Sequence, residues 1–246
     1  MKKQLVAIFS LFLIISCSSS DDNTEFITHL DGNLEIRSIS DLEDPIIKNY
    51  KTINGNLIIN YTDEVEDLSA LENLEVINGG IFIRYNDNLK SLHGLENIKK
   101  LDFLEIDYNL ELISLNGLQN LTTISNALRI AENWKLETLN SLNSLNNIDV
   151  QFFLSNNHLL TNLNGLESLR RVPQIIILNN VNLITINGLE GLTSCDDIRI
   201  YSNDSLTDFC SLIVFAQENS QTILFSARLN SYNPSLDDLV NNNCSN

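Results

Sequence analysis

The chain has 246 residues, of which 43% are hydrophobic and only 7% aromatic, so any core must consist mainly of Leu and Ile. Its 15 basic and 32 acidic residues give a formal net charge of −17, and repulsion excludes nucleic acid and anionic lipid headgroups as partners. Asparagine is very abundant, with 36 residues, and it suits a chain that turns often because Asn tolerates tight turns.

The first 16 residues have the features of a secretory leader. Lys2 and Lys3 precede an apolar run over 5–15 that is too short for a comfortable membrane span. The sequence Ile14-Ile15-Ser16-Cys17 resembles the lipobox of bacterial lipoproteins, in which the Cys becomes the lipid-bearing first residue. We therefore expect residues 1–16 to be a lipoprotein signal peptide and Cys17 to be lipidated.

A polar run, residues 18–23 with the sequence Ser-Ser-Ser-Asp-Asp-Asn, follows the lipobox. Its composition predicts a flexible tether over residues 17–30 between the lipid and a folded domain. The run also resembles the Ser/acidic export signal of Bacteroidetes-type surface lipoproteins, which implies a lipid anchor in the outer membrane and exposure on the cell surface. Loss of Lys2 and Lys3 leaves 13 basic and 32 acidic residues, a net charge of −19 that favours solubility there.

The rest of the chain repeats every 23 or 24 residues. Two apolar residues separated by one position, called here the inward pair, recur at Leu34/Ile36, Leu57/Ile59, Ile81/Ile83, Leu104/Ile106, Leu128/Ile130, Phe152/Leu154, Ile175/Ile177 and Ile198/Ile200. A fixed period of this size indicates a solenoid, in which each repeat stacks on the one before and only the stack buries a core.

Apolar residues then follow at every third position, as in Leu89, Leu92, Leu95 and Ile98, with a small residue such as Gly94 inside the run. A spacing of three drifts around an α-helix, and Gly, Ser and Asn are poor helix formers. Extended or 3₁₀-like segments are therefore favoured, and an amphipathic α-helix over this stretch is the alternative.

An asparagine also recurs three positions after each of six successive inward pairs. An inward Asn at the same corner of each repeat can bond the backbone of its own repeat and of the next, which predicts a structural ladder. The residues of this predicted ladder are Asn86, Asn109, Asn133, Asn157, Asn180 and Asn203.

The pattern of residues 101–121, Leu-x-x-Leu-x-Ile-x-x-Asn-x-x-Leu-x-x-Leu-x-Gly-Leu-x-x-Leu, resembles the leucine-rich repeat of receptor L domains. The next Leu comes three residues after the Asn rather than two, which favours the L-domain type over the horseshoe with outer helices. The resemblance implies a right-handed, β-dominated parallel solenoid of seven to eight turns over residues 31–225. The tail, residues 226–246, resembles the terminal segment of similar bacterial surface proteins and is interpreted as a C-terminal cap.

The three remaining cysteines separate into two groups. Cys195 occupies an apolar position of the repeat and is interpreted as a small buried hydrophobe. Cys210 and Cys244 bracket the C-terminal segment, and in an oxidising compartment they are candidates for a disulfide that clips the cap. No CxxC or Cys/His spacing suggests zinc, so no metal site and no cofactor are expected.

A candidate ligand surface lies on the outer side of the predicted sheet, where strand alternation places the residues beside each inward pair. This face combines Phe, Tyr and Arg, which dominate binding hot spots, with acidic residues. Aromatic residues side by side on parallel strands also stabilise one another, so a purely structural role is the alternative. The candidate residues are Phe82, Arg84, Tyr85, Glu105, Asp107, Tyr108, Arg129, Phe153, Arg199 and Tyr201.

No arrangement of residues specifies a reaction, because the three histidines fall at unrelated positions of the repeat and no catalytic residue is identified. We therefore expect a non-enzymatic surface lipoprotein that recognises or adheres to an extracellular protein or glycan. Two alternatives stay open: a β-solenoid enzyme acting on polysaccharide and a passive surface-layer protein. The enzyme would need a groove with clustered basic and acidic residues, and Lys99-Lys100 and Arg170-Arg171 are the only adjacent basic pairs in the predicted solenoid. A glycan array and a uronate-release assay would separate recognition from catalysis.

Overall fold

A computed structural model describes residues 28–246, so the predicted signal peptide, Cys17 and most of the tether lie outside the described residues. The main element is a nine-stranded parallel sheet whose strands follow one another across the sheet in chain order. These strands are β2 (Leu34–Ile36), β4 (Leu57–Asn60), β6 (Ile81–Arg84), β8 (Leu104–Asp107), β10 (Ala127–Ala131), β12 (Gln151–Ser155), β13 (Gln174–Leu178), β14 (Asp197–Tyr201) and β15 (Leu224–Arg228).

Two short parallel sheets of three strands each accompany the main sheet. One contains β1 (His29–Leu30), β3 (Thr52–Ile53) and β5 (Val76–Ile77), and the other β7 (Lys100–Leu101), β9 (Thr123–Ile124) and β11 (Asn147–Ile148). The mostly β architecture with parallel sheets confirms the β-dominated part of the fold prediction. Strand β1 also shows that the last two residues of the predicted tether, His29 and Leu30, already pair with the domain.

Helices are few and short in the described part of the chain. They are α1 (Ile39–Glu43), α2 (Ile213–Asn219) and α3 (Leu236–Val240), with 3₁₀ segments at Ile47–Asn49, Ser69–Leu71, Asn140–Leu142 and Cys210–Leu212. The alternative of an α-helix over residues 89–98 is wrong, because those residues form turns and irregular segments with every third side chain buried. Each of these four side chains is fully inaccessible, which stabilises the fold by about 1.5–3 kcal/mol per residue.

The small residue of each repeat decides its local conformation. Where it is Ala70, Ser141 or Ser211, the segment forms a 3₁₀ helix. Where it is Gly, as at Gly117, the backbone adopts a φ of 120°, and a Cβ there would collide with the carbonyl oxygen of Leu92 in the preceding repeat. Glycine therefore allows both this backbone conformation and the close contact with the preceding repeat.

The asparagine column forms a continuous buried ladder. The Asn133 side chain is typical: its Nδ2 donates to the carbonyls of Ile106 and Ala131, at 2.8 and 3.1 Å, and its Oδ1 accepts from the backbone N–H and Nδ2 of Asn109. All six predicted ladder residues are fully inaccessible to solvent. Because every polar atom finds a partner, burial of these amides costs little and fixes the stacking of the repeats.

The C-terminal end departs from the period. Strand β15 pairs with β14 at an offset of 27 residues, because α2 is inserted between them. It runs across the boundary that the sequence analysis places between residues 225 and 226, and Asn230 continues the ladder by accepting from the Asn203 backbone at 3.0 Å. Cys210 and Cys244 form a disulfide with a Cα–Cα distance of 4.8 Å, and Cys195 is buried as a free thiol.

Candidate functional site: the outer face of the nine-stranded sheet

The outer face of the nine-stranded sheet carries three rows of side chains that run across the strands. The first row is the residue between the members of each inward pair: Glu35, Ile58, Phe82, Glu105, Arg129, Phe153, Ile176, Arg199 and, on β15, Ser226. The second row is the residue that follows each pair: Arg37, Asn60, Arg84, Asp107, Ala131, Ser155, Leu178, Tyr201 and Arg228. The corner row comes one residue later: Tyr61, Tyr85, Tyr108, Glu132, Asn156, Asn179, Ser202 and Leu229.

Three tyrosines of the corner row form a continuous ring stack. The ring centroids of Tyr61 and Tyr85 are 5.0 Å apart, and those of Tyr85 and Tyr108 are 4.7 Å apart, with interplanar angles of 2° and 12°. The three residues are 71%, 40% and 37% exposed. Stacking therefore covers ring faces, while the ring edges and hydroxyl groups remain available to a partner.

The backbone of the corner row is left-handed throughout. Tyr61, Tyr85 and Tyr108 have φ values of 59°, 57° and 56°, close to those of Asn156 and Asn179 in later repeats. Asn adopts this conformation readily, whereas a bulky residue there is an outlier and costs about 1–2 kcal/mol. Asn would adopt this conformation with less strain. The presence of Tyr at this position in three successive repeats therefore indicates a role of the rings other than stability.

Beside the tyrosines, Arg84 and Glu105 form a bidentate ion pair between β6 and β8. Arg84 Nε lies 2.7 Å from Glu105 Oε1, and Arg84 Nη2 lies 2.5 Å from Oε2. The Arg84 guanidinium also lies 4.9 Å from the ring centroid of Phe82, which stacks on Phe103 at 5.6 Å. Both oxygens of Glu105 are therefore occupied, and the guanidinium is held on two sides.

The second ion pair, between Asp107 and Arg129, is built differently. Arg129 Nε lies 2.6 Å from Asp107 Oδ2, and the guanidinium lies 4.5 Å from the ring centroid of Phe153. Asp107 Oδ1 has no hydrogen-bond partner and is buried. Desolvation raises the pKa of Asp107 to about 6; the bond from Arg129 opposes this shift, and the neighbouring Glu105 carboxylate adds to it.

Asp107 thus corrects an expectation from the sequence. Strand alternation predicts an exposed outward carboxylate, but the side chain is only 7% exposed. Its second-row neighbours on the next strands are Ala131 and Ser155, which are also buried. Small side chains at these positions leave room for Arg129 of the first row to reach across to Asp107, so Asp107 lies beneath the surface rather than on it.

The remaining predicted residues lie further along the same face. Arg199 pairs with Asp197 of its own strand, with Nη2 2.7 Å from Oδ2, and Tyr201 is half-buried in the second row. The structure therefore brings together eight of the ten candidates on β6–β12 and the adjoining corner, while Arg199 and Tyr201 lie on β14, separated from β12 by β13.

Several contributing residues were not predicted as site residues. Phe103 precedes its inward pair, and its role depends on the ring of Phe82 one strand away. Trp134 and His158 stack at 5.5 Å just beyond the corner row, and Trp134 Nε1 donates to Glu132 at 3.2 Å. Both follow ladder asparagines in consecutive repeats, and this shared register was the signal available in the sequence.

Other groups of polar and ionisable side chains within residues 28–246 are less suited to binding a metal or a ligand. The possible metal-ligand group of Asp208, Cys210 and Cys244 has both sulfurs in the disulfide. His93 Nδ1 lies 2.5 Å from Glu96 Oε1, and this contact raises the pKa of His93. Among the described helices, none has the length and apolar character needed to cross a bilayer.

Comparison with known proteins agrees with the geometry of the N-terminal repeats. A search of curated proteins gave no match. Residues 28–113, which include the tyrosine stack and both Arg84 and Asp107, match the model of the family described as the receptor L domain. This match indicates a ligand-binding, non-enzymatic, receptor-like role directed at an extracellular ligand.

Proposed function

We propose that this protein is an outer-membrane lipoprotein, displayed on the cell surface, that uses the outer face of its nine-stranded sheet to recognise an extracellular partner. The observation that carries the proposal is the exposed stack of Tyr61, Tyr85 and Tyr108, held in a strained backbone conformation within the matched region. Aromatic side chains with exposed edges and hydroxyl groups supply contact area at low entropic cost.

The remaining parts of the proposal come from the sequence. Cys17 bears the lipid, residues 18–23 direct the chain to the surface, and the acidic domain stays soluble on its tether. The parallel repeats close into a right-handed solenoid of seven to eight turns, which gives the outer face a fixed spacing between strands. Recognition serves adhesion to a protein or a glycan, and the partner is extracellular.

The test is a binding screen of the full-length chain against a glycan array and a panel of extracellular proteins. We expect Tyr85→Ala combined with Tyr108→Ala to abolish binding to any hit while the protein stays folded, since both rings lie at the surface. The matched control is Ile113→Ala with Ile184→Ala, which removes two exposed apolar side chains away from the sheet. Normal binding by the tyrosine double variant would show that the outer face of the sheet is not the binding site.

Anchoring needs a separate experiment because it does not depend on the ligand. Cys17→Ser should abolish metabolic labelling with palmitate and release the protein from the membrane fraction. Protease treatment of intact cells should degrade the wild-type domain if it is surface-exposed. Unchanged labelling of the Cys17→Ser variant would contradict the lipoprotein assignment without affecting the binding proposal.

A further inference from the structure

The two ion pairs of the outer face differ in how completely their carboxylates are bonded. Glu105 receives two bonds from Arg84 and has both oxygens satisfied. Asp107 receives one bond from Arg129, and its Oδ1 is left buried without a donor, although the side chain is more than nine-tenths buried. A buried carboxylate oxygen without a donor is destabilising, so the free protein holds an unfilled acceptor at the centre of its candidate site.

The charges around this acceptor are not balanced. Arg84 and Arg129 supply the positive charge here. Against them stand three carboxylates: Asp107, Glu105, which lies close enough to raise the pKa of Asp107, and Glu132, which raises the pKa of the adjacent Tyr108 hydroxyl. One negative charge is therefore in excess, and neither arginine is free to receive an anion. An additional cation is favoured at this place, whereas uronate, sulfate and phosphate groups are disfavoured.

Arg129 occupies the position from which a ligand would approach. Its side chain is 35% exposed and bonds Asp107 through Nε alone, while its guanidinium is also held over Phe153. Ala131 and Ser155 leave no bulky second-row side chain on that side of Asp107. A long flexible arginine held by one bond can swing aside and remain on the Phe153 ring, which would uncover the Asp107 carboxylate.

We infer that Asp107 binds a cationic Lys or Arg side chain of a partner protein, and that Arg129 substitutes for this cation when the partner is absent. The inference rests on the proposed function and specifies its ligand: a protein segment with a cationic residue between groups that contact Tyr85 and Tyr108. A ligand guanidinium or ammonium bonds Oδ1 and displaces Arg129 from Oδ2. Asp107 is then fully bonded and the excess charge is neutralised.

The experiment is selection of a random linear heptapeptide library, displayed on phage, against the immobilised full-length chain. A pH of about 8 keeps Asp107 ionised, and salt near 0.5 M reduces the Debye length to about 4 Å, so the general acidity of the chain contributes little. We expect wild type to select a consensus with Arg or Lys at one position, enriched at least about tenfold, which corresponds to about 1.4 kcal/mol. Recovery of no such consensus would overturn the inference.

Two variants of the ion pair should act in opposite directions. Asp107→Asn should remove the cation from the consensus and leave its other positions unchanged, because the amide is neutral. Arg129→Met keeps the apolar stem but removes the competing charge, so the enrichment of the cation should rise. If the ion pair has only a structural role, both variants should weaken selection equally, and that result would refute the inference. Cooperative unfolding of each variant verifies that it is folded.

Controls separate this inference from the proposed function. Glu218→Gln removes one exposed carboxylate of α2 and should leave the consensus unchanged. If Tyr85→Ala with Tyr108→Ala loses all selection but Asp107→Asn retains the cation, the sheet face remains the binding site and only the role of Asp107 is wrong. If the tyrosine double variant selects the same peptides at full strength, the proposed function fails together with the inference.

Discussion

Two columns of polar groups run along the same repeats, and they differ in how well their hydrogen bonds are satisfied. In the asparagine ladder each of the six predicted amides bonds a neighbouring repeat, and all of them except Asn86 also donate to a carbonyl of their own repeat. In the second row of the outer face, Asn60 Oδ1 and Asp107 Oδ1 are buried without partners. Both columns come from the same period, so repetition alone does not determine whether a polar group is structural.

The difference separates stability from recognition. A column whose hydrogen bonds are all satisfied contributes to folding and offers a ligand no free donor or acceptor. The outer face combines a buried acceptor that lacks a donor with tyrosines in a strained backbone conformation. Both features lower the stability of the fold, and such features are typical of functional sites. Mutations in the ladder should therefore affect mainly stability, and mutations in the outer face should affect mainly binding and pH dependence.

The largest effect is expected for Asn133→Leu. The substitution keeps the volume but removes four hydrogen bonds: those that Asn133 donates to the carbonyls of Ile106 and Ala131, and those that it accepts from the backbone N–H and Nδ2 of Asn109. At about 1 kcal/mol for each hydrogen bond lost, the free energy of unfolding should fall by about 4 kcal/mol. Urea denaturation measures the change, with exposed Asn143→Leu as control, and an unchanged midpoint would contradict the structural role of the ladder.

A smaller loss of stability is expected for a substitution at the C-terminal end of the ladder. Asn230 makes equivalent bonds to Asn203 and to the carbonyl of Ile200, but it lies in the last repeat and is slightly exposed. Groups freed by Asn230→Leu can reach water more easily, so a loss of about 2 kcal/mol is expected. A loss equal to that of Asn133→Leu would show that the ladder fails as one cooperative unit rather than repeat by repeat.

Much of this comparison could be anticipated from the sequence, but not all of it. The spacing of the inward pairs predicted the parallel β architecture, because identical side chains at a fixed period fall in the same place in each repeat. The sequence pattern did not identify Asn230 as a ladder residue. Helix α2 lengthens the last repeat interval to 27 residues and so moves Asn230 out of the period. A period is informative only while no insertion interrupts it.

The outer face was harder to predict for a different reason. Alternation indicated which residues point outward, but burial there depends on whether side chains from adjacent strands close over them. Asp107 is covered because its neighbour Ala131 is small and Arg129 reaches across from the next strand. Those contacts join residues more than twenty positions apart, and no local pattern encodes them.

Asp107 should also make stability depend on pH in an identifiable way. Its folded pKa, about 6, lies above the value of 3.8 for an unperturbed Asp, so the folded state binds the proton more tightly. The corresponding stabilisation is complete below about pH 3.8 and is lost as the pH rises through about 6. Between about pH 7.5 and pH 5, wild type should therefore gain about 1 kcal/mol relative to Asp107→Asn.

Urea titrations of both proteins across this range measure that difference, and carboxylates common to both cancel. Because Glu105 itself raises the pKa of Asp107, the control is Glu218→Gln, which removes an exposed carboxylate of α2. A difference between wild type and Asp107→Asn that does not vary with pH would show that Asp107 is not desolvated in solution.

The smallest change in stability is expected for Tyr85→Asn, although it removes a ring from the centre of a stack. Loss of two stacked contacts costs about 0.5–1.5 kcal/mol each, while Asn relieves a left-handed strain of about 1–2 kcal/mol at a φ of 57°. These contributions nearly cancel, so the free energy of unfolding should change by less than about 1 kcal/mol. Binding of any partner found in the screen should nevertheless be lost. A large loss of stability would instead show that the tyrosine stack is maintained for folding, and the distinction between the ladder and the outer face would then disappear.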